Sequence, residues 1–136
     1  MNEPTTLQSM LKPGSTIAVI GLSDNPAKPS NYVPANMQQH GYRIVPVNPA
    51  VSAVLGETAY PSLTALTAAG ITPDVVNVFR LPKFIPAIVD EMIALGLTHI
   101  WVQQGITDLE SAARAEAAGI HVVMDRCIMV EHRHSA

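Results

Sequence analysis

The sequence has little cysteine and few charged residues, and it contains no long apolar run. Its one cysteine, Cys127, has no partner for a disulfide within the chain, which favours a reducing compartment, and we expect a cytoplasmic protein. No apolar run approaches the roughly 18 residues of a membrane span, and residues 1–12 show no secretory signal pattern. The 8 basic and 11 acidic residues give a net charge of −3, which supplies no general attraction to a polyphosphate backbone. We therefore expect neither a membrane nor a nucleic acid as a partner.

The chain does contain enough apolar residues for one well-packed domain. Hydrophobic residues make up 48% of its 136 positions. A chain of this length buries roughly two thirds of its unfolded surface on folding, so a sizeable core is available. No linker, internal repeat or low-complexity segment divides it, and we predict a single domain over residues 1–136.

Five apolar runs alternate with segments of helical spacing. The runs lack the polar alternation of half-exposed strands, which is typical of strands covered on both faces. Strict alternation predicts an α/β fold, a single Rossmann-like, doubly wound, parallel five-stranded sheet with helices on both faces. The strand order is taken from the usual Rossmann-like fold and not from the residues; that order, 3-2-1-4-5, makes the first and fourth strands neighbours. The runs are Thr16–Ile20, Ile44–Pro49 with its closing turn, Val75–Phe79, His99–Gln103 and Ile120–Met124.

Serine, threonine and proline positions predict where the helices begin. Ser30 is placed to cap the helix after the first strand, with Pro34 in its first turn. No form is predicted for residues 125–136. Two short helices are also predicted, one around Leu7 to Leu11 capped by Thr5 or Thr6, and one that Ser62 caps. A further helix is predicted from Thr107, in capping-box spacing with Glu110, to Gly119. The last is predicted over Leu81–Leu95, with these residues facing inward: Ile85, Ile88, Val89, Met92 and Ile93.

The stretch from Thr16 to Ser30 has the pattern of a phosphate-binding element. A strand stops at Gly21, a polar loop follows, and a helix then begins. Such a junction leaves backbone N–H groups unpaired and directed at one point, where an anion is preferred. Lys28 and Arg80 are the cations best positioned to meet a phosphate there, because both flank strand ends on the ligand side.

The usual dinucleotide fingerprint is not found at this junction. The turn has no G-x-G-x-x-G pattern, and the second strand ends at Asn48-Pro49 without the carboxylate that holds the ribose hydroxyls of NAD. A nicotinamide or flavin ligand is therefore disfavoured. The residues alone predict a phosphorylated ligand without choosing among phosphorylated nucleotides.

Six short segments form an ordered set across nearly the whole chain. They are Gly21–Ser30, Gly41-Tyr42, Pro46–Pro49, Val78–Arg80, Trp101–Gly105 and Val123–Cys127. This set resembles the stand-alone bacterial CoA-binding domain proteins, which are similar to the CoA-binding domain of the succinyl-CoA synthetase α subunit. Asn77 stands where that family commonly has an aspartate.

The resemblance implies coenzyme A as the cofactor, and CoA or an acyl-CoA as the small-molecule partner. It implies a binding module without catalytic machinery of its own. On the residues alone we expect no metal, because the cysteine and histidines near the end of the chain offer no obvious fourth ligand. By the same resemblance, the phosphates contact Gly21, Ser23, Lys28 and Ser30, the nucleotide contacts Asn48 and Pro49, Arg80 meets a phosphate or the adenine edge, and Gln104 and Gly105 lie on the pantetheine side.

A second hypothesis is a thiol- or metal-dependent enzyme that acts on an acyl-CoA. Cys127 would be its nucleophile and His132 its base, or both would join Glu131 and His134 as metal ligands. Trp101 lies inside a strand and is expected in the core, as are Tyr42 and Phe79. Parallel-sheet domains of this size often dimerise, so a homodimer stays open.

Overall fold

Strands and helices alternate along the chain, as the sequence predicts. The structure is a computed structural model that describes residues 1–135. Within these residues no helix is long and apolar enough to cross a membrane. The elements are α1 Pro4–Met10, β1 Thr16–Ile20, α2 Pro29–Gln39, β2 Arg43–Val47, β3 Ala53–Val54, β4 Glu57–Thr58, α3 Leu63–Ala68, β5 Val75–Val78, a 3₁₀ turn Pro82–Phe84, α4 Ile85–Leu95, β6 His99–Val102, α5 Leu109–Ala117, β7 His121–Met124 and α6 Ile128–His134.

Five strands form one parallel sheet in the order β2-β1-β5-β6-β7. Counted along the chain, this order is 2-1-3-4-5, so the predicted order 3-2-1-4-5 was wrong. The third strand pairs with β1 because the outer edge of β2 is occupied. Tyr60 lies there, and its N–H donates to the Pro46 carbonyl at 3.0 Å while its own carbonyl accepts the Asn48 N–H at 2.9 Å. The segment 51–59, predicted as a loop, contains the β3–β4 hairpin.

The two faces of the sheet carry separate apolar clusters, which confirms helices on both sides. Ala18 and Ile20 of β1 pack with α3, α4 and α5 on one face. Ile17 and Val19 pack with α1, α2 and α6 on the other. Trp101 is fully buried in this second cluster, and its indole N–H donates to the Arg126 carbonyl at 2.9 Å. Trp101 is therefore a core residue, as expected.

Several predicted helix starts differ from the structure. Ser62 caps α3, since its hydroxyl accepts the Ala65 N–H at 3.0 Å, as predicted. Asp108, and not Thr107, caps α5, because its side chain accepts the Ser111 N–H. Helix α1 begins at Pro4 with no side-chain cap, so neither Thr5 nor Thr6 caps it. The segment 81–95, predicted as one helix, begins with a 3₁₀ turn before α4, and α4 is followed by the left-handed Gly96. Ile93, predicted to face inward, is 43% exposed. Residues 128–134, for which no form was predicted, form α6.

Helix α2 contains a proline that anchors the loop before it. The helix begins at Pro29 with Lys28 at its N-cap, so Ser30 is not the cap and Pro34 lies in the helix interior rather than its first turn. Proline has no N–H, so the carbonyl four residues earlier, that of Ser30, loses its partner within the helix. That carbonyl accepts the Ser23 N–H at 3.1 Å instead. The missing donor of Pro34 thus ties the loop after β1 to α2.

Candidate functional site

A cleft opens at the carboxyl edge of the sheet, where the loops after β1, β5 and β6 meet the start of α2. Its volume is about 510 Å³. In the order β2-β1-β5-β6-β7 the direction of winding reverses between β1 and β5, and parallel sheets bind ligands at such a point. The cleft is lined by Lys28, Pro29, Ser30, Phe79, Arg80, Leu81, Phe84, Gln104 and Ile106.

Two cations, Lys28 and Arg80, line this cleft without a carboxylate partner among residues 1–135. The Arg80 guanidinium lies over the Phe84 ring, with Cζ 3.8 Å from the ring centroid, and the Lys83 ammonium lies 5.2 Å from the same centroid. The ion pairs within residues 1–135 involve the chain N-terminus and Arg114, so neither Lys28 nor Arg80 takes part in one. The positive charge of this cleft is therefore open to an anionic ligand.

The loop after β1 uses most of its N–H groups internally. The Ser23 N–H donates to the Ser30 carbonyl, and the Lys28 N–H donates to the Asn25 carbonyl at 3.0 Å. Side chains accept two more, since the Asn25 N–H meets the Ser23 hydroxyl and the Ala27 N–H meets the Asn25 side chain, each at 3.0 Å. The Ser30 N–H and hydroxyl, by contrast, make no hydrogen bond within the described part of the chain. Ser30 is thus an open donor at the start of α2, where an anion is favoured.

Gly21 allows β1 and β5 to approach each other at the floor of the cleft. Its φ is +84°, and a Cβ built there would lie 2.3 Å from the Phe79 carbonyl oxygen and 3.3 Å from Cδ of Arg80. Any side chain would therefore displace the segment that carries Arg80. Gly21 shapes the cleft but is not among its lining residues.

The other predicted site residues hold the surrounding loops. The Asn48 side chain donates to the Leu22 carbonyl at 2.9 Å and accepts the Ala50 N–H at 2.9 Å. The Gly105 N–H donates to the Asp125 carboxylate at 2.7 Å. The cleft lining thus brings together Lys28, Ser30, Arg80 and Gln104, whereas Gly21, Ser23, Asn48, Pro49 and Gly105 lie outside it.

Apolar residues of the cleft were missed in the sequence. Leu81 and Phe84 follow β5, and Leu81 is 62% exposed. Their signal was an apolar pair around Pro82, directly after a buried strand. Phe79 is only half-buried and lines the cleft, so its assignment to the core was incomplete. Tyr42, in contrast, is buried as expected.

A second cavity, of about 330 Å³, adjoins the cleft. Helix α6 forms one wall of it, and a buried polar network lies beneath. In that network the Gln103 side chain donates to Asn77 Oδ1 at 2.7 Å and accepts the Ile128 N–H at 3.4 Å, which joins β5, β6 and α6. The lining residues are Pro29, Tyr32, Val33, Phe79, Gln103, Gln104, Cys127, Met129 and Val130.

The structure does not pair Cys127 with His132. Cys127 is half-buried at the N-cap of α6, and its thiol makes no hydrogen bond to His132 in residues 1–135. His132 Nδ1 lies 3.0 Å from the Tyr42 hydroxyl, and its ring packs edge-on against His40. Burial, together with the charge of His40, lowers the pKa of His132, and burial raises the pKa of Tyr42. Nor do three His, Cys, Asp or Glu side chains converge on a metal position anywhere in the described residues.

A larger cavity, of about 630 Å³, lies at the opposite edge of the sheet. It is lined by residues at the amino ends of the strands, including Lys12, Asp74 and His99. The Asp74 carboxylate there already accepts the Thr16 N–H at 2.8 Å. Because ligands of parallel sheets bind at the carboxyl ends of the strands, we take the smaller cleft as the candidate site.

Residues 15–133 match the family model described as the CoA binding domain. The chain belongs to this family. The finding confirms the resemblance that the six segments indicated. This CoA-binding domain is 36% identical over 126 residues to the uncharacterized protein YneT of Bacillus subtilis (strain 168). The aligned residues cover 93% of this chain and 91% of YneT.

Solved structures share the fold. The CoA-binding domain is similar to the cell-free ID.343 protein from Thermus thermophilus, with 35% identity, a TM-score of 0.85, and coverage of 98% of this chain and 99% of that one. It is also similar to part of the dinucleotide forming acetyl-coenzyme A synthetase 1 of Ca. Korarchaeum cryptofilum, with 20% identity and a TM-score of 0.69. That match covers 83% of this chain and 26% of the synthetase, and it shows the fold alone.

Proposed function

We propose that this protein binds coenzyme A or an acyl-CoA in the cleft at the carboxyl edge of the sheet, without catalytic machinery of its own. The phosphates lie against Lys28, Ser30 and Arg80. The observation that carries the proposal is that Lys28 and Arg80, which have no carboxylate partner in residues 1–135, line the same cleft as the unbonded N–H of Ser30 at the start of α2. This local positive charge lies in a protein of net charge −3. Membership of the CoA-binding family supports coenzyme A as the ligand.

The energetics of this cleft suit a ligand of several phosphates. A hydrogen bond to a charged group contributes about 1.5–3 kcal/mol, and the stacking of Arg80 on Phe84 holds the guanidinium in place before the ligand arrives. Lys28 is exposed, so solvent screens its charge and its contribution is the smaller one. With loop and apolar contacts, the cations support binding of roughly micromolar strength, about −8 kcal/mol.

Isothermal titration with CoA, dephospho-CoA, NAD and ATP tests how much the 3′-phosphate of CoA and the two cations contribute to the binding affinity. We expect saturable binding of CoA and weaker binding of dephospho-CoA. The variant Lys28→Ala/Arg80→Ala should bind CoA at least about tenfold more weakly, since each tenfold corresponds to 1.4 kcal/mol.

A matched control removes two charges elsewhere. Lys12→Ala/Arg43→Ala carries the same change in net charge at the amino edge of the sheet, and it should retain CoA affinity. Equal losses in both double variants would mean that net charge, and not the cleft, attracts CoA. Absence of CoA binding by the unmodified protein would overturn the proposal.

The thiol-dependent alternative makes a separate prediction. If Cys127 were a nucleophile, the protein would turn over acyl-CoA and Cys127→Ala would lose that turnover. The hydrogen bond of His132 to Tyr42 argues against His132 as the base for Cys127. We expect no turnover above that of the Cys127→Ala variant.

A further inference from the structure

We propose that the second cavity binds the acyl chain of an acyl-CoA thioester, and that it selects uncharged acyl chains over chains that end in a carboxylate. This inference rests on the proposed function and names its substrate class. It is argued from the continuity of the two cavities, the charge of each lining, and the size of the second cavity.

The two cavities form one continuous depression. Both are lined by Pro29, Phe79 and Gln104, so a ligand anchored in the cleft passes over Phe79 into the second cavity. A ligand in the cleft can therefore extend under α6 while it stays in contact with protein.

The distribution of charge orients the ligand. CoA is ionic at its phosphorylated nucleotide end and uncharged along the pantetheine arm to the sulfur. Lys28 and Arg80 both line the cleft, whereas no lysine, arginine, histidine or carboxylate lines the second cavity. The nucleotide end accordingly belongs in the cleft, and the sulfur with its acyl group belongs in the second cavity.

The lining of the second cavity disfavours a second negative charge. Its walls are formed largely by Tyr32, Val33, Met129 and Val130. Gln103 is only 3% exposed, and its amide is already bonded to Asn77 and to the α6 backbone. A carboxylate placed there would lose water without gaining a cationic partner, which is costly. An aliphatic chain would instead gain by the removal of apolar surface from water.

The volume suits a short acyl chain. A protein cavity of about 150 Å³ accommodates the six carbons of benzene, so about 330 Å³ has room for the thioester sulfur together with an acyl chain of at least about four or five carbons. Met129 on its wall has a flexible thioether side chain that adapts to chains of different length and branching. Butyryl and isovaleryl groups are therefore suitable probes, with succinyl as the charged probe of the same length as butyryl.

The test is isothermal titration of the protein with CoA, acetyl-CoA, butyryl-CoA, isovaleryl-CoA and succinyl-CoA. A fully buried methylene strengthens binding about fourfold, so in this open cavity we expect a gain of about two- to fourfold for each added methylene. Butyryl-CoA should bind tightest among the straight chains, and succinyl-CoA at least about tenfold more weakly than butyryl-CoA, the loss that an unpaired carboxylate predicts.

Two variants test the position of the chain. Val130→Arg places a cation on the cavity wall and should reverse the preference toward succinyl-CoA, whereas Ile93→Arg adds the same charge to an exposed position of α4 and should leave it unchanged. Val130→Ala, a milder change, should reduce the gain from butyryl while retaining CoA affinity.

The outcomes separate this inference from the proposed function. If CoA binds but butyryl-CoA binds no tighter, or if succinyl-CoA binds as well as butyryl-CoA, the acyl cavity is wrong and the CoA cleft stands. If Val130→Arg and Ile93→Arg respond alike, the chain does not lie against α6. If neither CoA nor any acyl-CoA binds, both proposals fail.

Discussion

Gly21 illustrates how a single missing side chain shapes the candidate site. Its Cβ position would overlap the Phe79 carbonyl, which directly precedes Arg80, so the glycine sets how near β5 approaches the end of β1. The resemblance to the CoA-binding domain proteins implied that Gly21 contacts a phosphate. The structure gives it a steric role, and a contact with phosphate stays a prediction.

Replacement of Gly21 should be far more damaging than replacement of a glycine with open surroundings. Gly21→Ala forces both a left-handed residue and an overlap with backbone, and we expect a loss of about 3 kcal/mol or more in the free energy of unfolding. Gly119→Ala, at φ +86° with no atom within 4 Å of the added carbon, should lose only about 1 kcal/mol.

Urea unfolding of the two alanine variants measures this difference. Similar losses in both would show that conformational strain alone accounts for the effect, and the close contact with Phe79 would then carry no energy. A larger loss for Gly21→Ala would confirm that the floor of the cleft is tightly packed.

Ser30 shows a residue that was correctly singled out for a different reason. The sequence predicted a helix cap, because serine before a helical pattern usually caps it. Pro29 starts the helix one residue earlier, since proline is favoured at the first helical position, and this leaves Ser30 inside the first turn with an open N–H and hydroxyl. The signal for this shift, Pro29 itself, was present in the sequence.

Helix α2 connects loop geometry to the site through its interior proline. The carbonyl that Pro34 leaves without a helical partner accepts the Ser23 N–H, and the buried Asn31 side chain donates to the Ser23 carbonyl at 2.7 Å. Both bonds hold the loop that precedes Lys28. The element thus positions the predicted phosphate-binding residues by bonds that the strand–loop–helix pattern did not reveal.

Pro34→Ala should loosen this loop without weakening α2. Alanine restores an N–H that competes with Ser23 for the Ser30 carbonyl, so we expect faster hydrogen exchange at the Ser23 amide and weaker CoA binding, by about threefold to tenfold. Pro86→Ala is the matched control, because Pro86 lies in the first turn of α4, where the helix needs no N–H from it. Unchanged exchange at Ser23 in Pro34→Ala would contradict this coupling.

The protein as one cooperative unit should lose stability in mild acid. Burial, with the charge of His40, lowers the pKa of His132, and burial, with the charge of His121, lowers the pKa of His99, against a smaller opposing effect of Asp74. Both folded-state pKa values lie below the ordinary 6.5, so the unfolded chain takes up protons first as the pH falls. The free energy of unfolding is therefore unaffected by these two histidines above about pH 7.5. It declines as the pH falls through 6.5 toward the lower pKa values that the histidines have in the folded protein.

Unfolding in urea at about pH 7.5 and about pH 5.5 measures this decline. His132→Gln and His99→Gln should each make stability less dependent on pH over that range. His134→Gln, which alters an exposed histidine at the end of α6, is the matched variant for comparison. Equal pH dependence in all the variants would mean that the packing of His132 and His99 is not its source.

The order of the strands is the clearest case of a property that the sequence did contain but that was interpreted incorrectly. The proline in β2 cannot donate a ladder hydrogen bond, so it is tolerated on an edge strand and disfavoured in the middle of a sheet. The observed edge position of β2 satisfies this rule, whereas the order 3-2-1-4-5 would have placed Pro46 inside the sheet. At the cleft, β1 therefore has β5 as its neighbour, and not β6 as the order 3-2-1-4-5 required.

Local patterns in the sequence were sufficient for the α/β class, the five sheet strands and the family, and they indicated the carboxyl edge as the candidate site. Apolar periodicity, turn residues and short motifs act over a few residues, which is why they can be recognised in the chain itself. The division of the predicted site residues into Lys28, Ser30, Arg80 and Gln104 in the cleft and the others in its support required the tertiary structure. So did the second cavity and the separation of Cys127 from His132, because distances between side chains far apart in the chain depend on how strands and helices pack.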